Sequence, residues 1–201
     1  VYEYIASHHI ANSEATRRTL LESAPWLKPE SISVIHNGVD VAAIDAAAPL
    51  PLPTDKTSVV FGFISRLDQR KGTRDLLEAW PQVAGAVDNV LLVIVGKGIL
   101  EQEVADRARS LEGVTFLGYR SDVASVLKAV DVVVVPSHWE GFGLIAAEAL
   151  AAQRPVIASD ASSLPEIVRH EREGWLVPPG DPKILAATMI AAARDPDARA
   201  R

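Results

Sequence analysis

The chain contains no cysteine, which removes disulfides, thiolate metal sites and cysteine nucleophiles from consideration without fixing a redox compartment. It also lacks any apolar run long enough to span a bilayer. Runs such as Val90–Val95 and Val132–Val135 have the length of buried strands. An excess of positive charge is missing too: 26 acidic residues stand against 20 basic ones, a net charge of −6. Broad attraction to nucleic acid or to an anionic membrane is therefore not expected, and any anion must be held by a local site. The first ten residues show neither a basic start nor an apolar core, so no signal peptide is read there, and the opening Val1 suggests a piece of a longer protein. There is no internal repeat and no low-complexity tail.

What remains is 201 residues at 48% hydrophobic content, enough for one substantial core, or one domain plus a segment of a neighbour. Residues 4–11 read as a short strand, followed by an Asn12-Ser13 cap and a helix over 14–23 that Pro25 and Pro29 end. Residues 32–35 read as a second strand. Asn37-Gly38 opens an alanine- and proline-rich stretch through Pro53 that reads as a linker. Beyond it, apolar runs at 59–64, 90–95, 114–117, 132–135 and 155–158 alternate with segments of helical period. Continuous apolar strands alternating with helices predict a parallel sheet covered on both faces, a doubly wound, Rossmann-like α/β domain over residues 54–201. In such a sheet, ligands bind beyond the carboxyl ends of the strands.

Three loops at those ends carry the chemistry. Residues 65–72 set Arg66, Arg70 and Lys71 before a helix near Thr73. Charge alone favours a solvated loop, whereas its position favours a diphosphate site, with Arg66 offering a fork and Lys71 a point charge. Gly96-Lys97-Gly98 partly matches a dinucleotide fingerprint, but Glu101 stands where the third glycine belongs, so a tight turn is the better reading. The third loop runs Pro136-Ser137-His138-Trp139-Glu140-Gly141-Phe142-Gly143-Leu144. It joins a strand to a helix through two glycines, which suits an anion held by backbone N–H groups and a helix dipole. Glu148 is the one charge on an apolar helix behind that loop. Its carboxylate suits ribose hydroxyls, or else a bond to a neighbouring loop or buried cation. His138 reads as a loop residue, Pro165-Glu166 as ordinary helix capping, and Asp195-Pro196-Asp197 as a helix stop. Asp160, Ser162 and Ser163 lie at the sheet edge, within reach of a ligand.

These pieces together resemble the retaining, family-four-like glycosyltransferases, among them bacterial mannosyl- and glucosyltransferases and glycogen synthases. That family is built of two facing Rossmann-like lobes, the GT-B architecture. The resemblance rests on Asn37-Gly38-Val39-Asp40, Arg66-Leu67 with Lys71-Gly72, Leu117-Gly118-Tyr119, Pro136-Ser137 with Glu140-Gly141-Phe142-Gly143 and Glu148, Pro165-Glu166-Ile167-Val168, and Gly174 with Val177-Pro178. It implies the C-terminal, donor-binding lobe, with residues 1–53 as the tail of the N-terminal lobe and the interlobe linker. It implies that Arg66 and Lys71 hold the diphosphate of a nucleotide sugar and that Glu148 binds ribose. Glu140, Gly141, Phe142, Gly143 and Leu144 then meet the sugar, and Tyr119 and Arg120 lie beside the base. Ser162-Ser163 stand where two glycines are often found.

The implied reaction is transfer of a hexosyl group from a nucleoside diphosphate to an acceptor hydroxyl with retention. Glu140, Arg66 and Lys71 are its candidate catalytic residues, and the cations and loop dipoles stabilise the departing diphosphate. No cofactor and no metal are expected. The resemblance further implies a missing N-terminal lobe, an isolated chain that is inactive alone, an unknown acceptor, and a cytoplasmic location, with peripheral attachment at the inner face of a membrane as its variant. A nucleotide-sugar epimerase or phosphorylase of the same architecture, and a non-catalytic nucleotide-binding module, remain as alternatives; a nicotinamide oxidoreductase is disfavoured by the missing glycine.

Overall fold

The computed structural model describes residues 6–53 and 58–199. The first two residues of the expected opening strand, and the start of the expected 54–201 domain, fall outside them. A strand β1 (His9–Ala11) is followed by helix α1 (Glu14–Ser23), a strand β2 (Ile32–Val34) and a helix α2 (Val41–Ala46). β1 and β2 pair in parallel as a two-stranded sheet of their own. Ser13, not Asn12, is the N-cap of α1, its hydroxyl accepting from the Thr16 N–H at 2.9 Å.

The main sheet contains β3 (Val59–Ile64), β4 (Val90–Val95), β5 (Val114–Phe116), β6 (Val132–Val135), β7 (Val156–Ser159) and β8 (Gly174–Val177). All its pairings are parallel, and the order is β5-β4-β3-β6-β7-β8. The connecting helices are α3 (Thr73–Ala86), α4 (Glu101–Ser110), α5 (Val123–Ala129), α6 (Leu144–Ala151), α7 (Leu164–Ile167), α8 (Pro182–Arg194) and α9 (Pro196–Arg199). The doubly wound α/β fold expected from the alternating pattern is therefore present.

The strands read as unbroken apolar runs because successive side chains enter two different cores. Phe61, Phe63, Leu92, Ile94, Val132, Val134 and Ile157 belong to one cluster, capped by Leu76 and Trp80 of α3 and Leu185 and Met189 of α8. Val60, Ile64, Val93, Val133, Val135, Val156 and Ala158 belong to the other, under Val126 of α5 and Ala146 and Ala149 of α6. Trp80 stands edge-on to Phe61 and donates its indole N–H to the Glu112 carbonyl at 2.8 Å. The stretch read as a linker contains α2, whose Ile44 is buried in the second cluster, and Asp40 caps that helix by accepting from the Ala43 N–H. The Asp195-Pro196-Asp197 stop falls where α8 ends and α9 begins.

Chain order reverses between β3 and β6, with successive strands running outward from there in both directions. That crevice at the carboxyl ends is where an open parallel sheet receives ligands. The loops after β3 and after β6 border it.

Candidate functional site

Gly72 closes the first loop with φ of 68°, and a Cβ added there would lie 2.0 Å from the Pro136 carbonyl oxygen. Only glycine lets the two loops of the crevice touch. The contact carries Lys71 across to the second loop, where its Nζ lies 2.7 Å from Oε1 of Glu140. The same oxygen accepts from the Ser137 hydroxyl at 2.8 Å. Glu140 is buried to 9% exposure, so its charge is held by a cation and a hydroxyl in a sheltered place. Asp68 organises the turn below, accepting from the Lys71 N–H at 3.1 Å and from Arg66 Nε. Those bonds keep the Asp68 carboxyl below its ordinary range although burial acts the other way.

The second loop ends at Gly143, the N-cap of α6, which has φ of 90°. The N–H groups of Gly141, Phe142 and Gly143 have no acceptor among the described residues. They and the positive end of α6 present donors where a negative oxygen would be held. One turn into α6, Glu148 is half-buried, and burial raises its carboxyl above the ordinary glutamate range. No hydrogen bond or ion pair to its side chain occurs among the described residues.

Beside this centre a cleft of about 590 Å³ is lined by Arg66, Gly96, Lys97, Glu101, Tyr119 and Arg120, among others. Lys97 stands 4.5 Å from the centre of the Tyr119 ring, and Arg120 forks onto Asp122 at 2.9 and 2.6 Å.

The family model for glycosyl transferases group 1 matches residues 58–195. The chain belongs to this family. It is 36% identical over 197 residues to the phosphatidyl-myo-inositol mannosyltransferase of Mycobacterium leprae, covering 96% of this chain and 51% of that protein. It is 33% identical over 175 residues to the glycogen synthase of Mycobacterium tuberculosis, covering 85% and 42%. Anabaena Alr3699/HepE, solved in complex with UDP and glucose, superimposes with a TM-score of 0.83 at 28% identity, over 97% of this chain and 56% of that one. The C-terminal domain of a glycosyl transferase group 1 protein from Francisella tularensis covers 81% of this chain and 91% of itself, with a TM-score of 0.67 and 28% identity. The glycosyl transferase chain thus has the fold of a C-terminal lobe, and it spans about half the length of the curated relatives it matches.

Within this glycosyl transferase lobe the expected residues fall into two groups. Lys71, Glu140, Gly141, Phe142, Gly143 and Glu148 gather around the loop and helix start after β6, and Leu144, 43% exposed, opens that helix. Arg66, Tyr119 and Arg120 line the cleft. Arg66 is a largely exposed side chain tied to Asp68 through Nε, which leaves its two Nη groups free of any hydrogen bond among the described residues. His138 bonds Asp75 in the first turn of α3, as suits a loop residue. Gly96-Lys97-Gly98 packs on the first loop, with Lys97 O accepting from Leu67 N–H and no room at Gly98 for a Cβ beside the Leu67 carbonyl.

Pro165 and Glu166 stand in the first turn of α7, as the capping reading expects, but Glu166 bonds elsewhere through its carboxylate. Its side chain caps not α7, on which it lies, but α1, accepting from the N–H groups of Glu14 at 2.9 Å and Ala15 at 2.7 Å. The serines at the sheet edge reach the Glu140 backbone: Ser162 Oγ accepts from the Glu140 N–H at 3.4 Å, and the Ser163 hydroxyl donates to the Glu140 carbonyl at 3.1 Å. Sequence reasoning gave no site role to Asp68, Ser137 or Thr16 and read Ser13 only as part of a helix cap. An aspartate three residues before Lys71 and a Ser-x-x-Glu spacing at 137–140 were the available signals for the first two.

Proposed function

We propose that this chain is the donor lobe of a retaining glycosyltransferase, holding a nucleoside diphosphate sugar whose hexosyl group passes to an acceptor hydroxyl with retention. The observation that carries the reading is the meeting of Lys71, Glu140 and the unpaired N–H groups of the glycine loop at the switch point of the sheet. UDP and glucose in the related Anabaena structure, and a mannosyltransferase and a glycogen synthase among the relatives, support it.

In this reaction the bond from the anomeric carbon to the diphosphate breaks and its electron pair leaves with the diphosphate. The acceptor oxygen forms the new bond on the same face and gives up its proton to the departing diphosphate oxygen. Charge therefore grows on the departing group, where Lys71 and the N–H groups at the N-terminus of α6 act, while the Gly141 and Phe142 N–H groups face the sugar; fixed donors cost no reorganisation there. Arg66 joins them through its two Nη groups, with Nε still on Asp68. Glu148, unpaired and half-buried, takes the ribose hydroxyls; the cleft beside Tyr119 and Arg120 takes the base. Cations and backbone dipoles perform here the charge neutralisation that a metal performs elsewhere.

A thermal-shift panel of UDP-, GDP- and ADP-sugars tests this. A ligand at a hundredfold its Kd adds about 2.7 kcal/mol, which for a chain of this size raises the melting temperature by about 5–10 °C. Lys71→Ala removes a charge-assisted bond worth about 1.5–3 kcal/mol, a loss of about tenfold or more in affinity. No shift with any of the three donors counts against the proposal.

A further inference from the structure

Residues 6–36 rest on the domain without sharing its core. Their buried side chains Ala11, Ala15, Ala24 and Ile32 join neither of the two apolar clusters. The docking is polar and concentrated at one spot. The hydroxyls of Ser13 and Thr16 both donate to the Gly141 carbonyl, at 2.6 and 2.9 Å, while the Glu166 carboxylate receives the first two N–H groups of α1. His36 adds a tilted ring contact with Phe142 at 5.8 Å between centroids.

Peptide planarity converts this docking into a statement about the site. In a trans peptide the carbonyl and the following N–H point in opposite directions. Ser163 holds the Glu140 carbonyl, which aims the Gly141 N–H away from Ser163. Ser13 and Thr16 hold the Gly141 carbonyl, which aims the Phe142 N–H away from α1. Two consecutive peptides are thus tethered by their oxygens, and their N–H groups are left as an oriented pair with no acceptor among the described residues. Successive oriented N–H groups form a concavity for an oxygen ligand. One of the two tethers comes from α1.

We propose that Ser13, Thr16 and Glu166 are positioning residues: Glu166 seats the N-terminus of α1, and α1 fixes the Gly141 carbonyl, so that the Phe142 N–H meets an oxygen of the transferred sugar. The proposal rests on the donor reading above for the identity of that oxygen. Neither Glu166 nor the two hydroxyls touch the ligand. The docking shares no apolar core and has the polar character of interfaces between parts of a chain that move relative to one another. Recognition of the sugar, but not of the nucleotide, then depends on α1 being seated.

The test compares UDP with UDP-glucose by calorimetry, substituting the GDP or ADP pair if the donor panel selects that base. The chains compared are the parent, Thr16→Val, Thr16→Ser and Glu166→Ala. Nucleotide affinity is expected to stay within about twofold throughout. UDP-glucose affinity falls about tenfold in Thr16→Val and Glu166→Ala and returns in Thr16→Ser, which restores the hydroxyl. Unchanged sugar-nucleotide binding, or equal losses for both ligands, overturns the proposal. If the parent binds no nucleotide, the donor reading fails, and backbone NMR of the free chain decides the positioning separately. The order parameter of the Phe142 amide then falls from about 0.85 toward 0.6 in Thr16→Val, while that of Gly141, whose peptide Ser163 tethers, holds; a Phe142 value equal to the parent's overturns it.

Discussion

Glu148 shows most directly how a single residue exchanges stability for binding. Its carboxylate is half-buried, unpartnered among the described residues, and shifted upward by burial, so the folded chain binds that proton more tightly than the unfolded chain does. Stability is then greatest below the unfolded value, about 4.3, and falls as pH rises through the folded value, because the charged form is penalised only in the fold. Glu148→Gln should therefore raise the melting temperature of the ligand-free chain at pH 7 and give no gain at pH 4. The same change should weaken ribonucleoside diphosphates more than analogues lacking the ribose hydroxyls. Calorimetric melts at the two pH values check the first part; an equal gain at both would contradict it. Ser162 and Ser163 make a second pair. Ser162 holds a left-handed φ of 51°, which costs a serine about 1 kcal/mol, so Ser162→Gly should be neutral or stabilising in urea. Ser163 is fully buried with its hydroxyl on the Glu140 carbonyl, and Ser163→Ala should cost about 1–3 kcal/mol.

Elements were legible in proportion to how locally they are determined. β3, β4 and β6 have the bounds their apolar runs predict, since strands buried on both faces need an unbroken run, and α1 follows from its cap and its terminating prolines. Helix α2 was hidden in an alanine- and proline-rich stretch, because what makes it a helix with a buried face is the core beneath Ile44. Strand β8, as long as β6, opens on Gly174 and ends against Pro178-Pro179, so its apolar residues are bracketed by residues that read as a loop. The site was legible as loops but not as contacts. Lys71 and Glu140 are 69 positions apart, and Glu166 caps a helix about 150 positions away in the chain, whereas capping rules look only along a residue's own helix. Gly72 is where element packing and site coincide. Gly72→Ala places a Cβ on the Pro136 carbonyl in a left-handed backbone, and should cost about 2–5 kcal/mol while withdrawing Lys71 from Glu140. Gly38→Ala, with open space around it, should change stability by less than about 0.5 kcal/mol. Denaturant midpoints of the two variants measure the contrast, and similar midpoints would show that the loops can part without penalty.

At the scale of the whole molecule, binding and turnover separate. Lys71, Glu140, the glycine loop, Glu148 and the neighbouring cleft all belong to this chain, so under the proposed assignment the nucleotide sugar should bind it without help. Under the same assignment the acceptor is another matter, because this chain spans about half the length of its curated relatives. Orienting two reactants contributes effective molarities of about 10⁵–10⁸ M in well-placed cases, and that contribution is absent when the acceptor meets the donor by diffusion. The isolated chain should thus release nucleoside diphosphate from its preferred donor at least about a thousandfold more slowly than the two-lobed protein, with donor affinity similar in both. Chelation should leave that affinity unchanged, since under the proposed assignment the cations and the N-terminus of α6 hold the diphosphate. Transfer assays on both forms, with calorimetry in EDTA alongside, check the prediction. Turnover by the isolated chain at a comparable rate would place the acceptor site within it, and binding restored only by magnesium or manganese would replace Lys71 with a metal as the principal charge on the diphosphate.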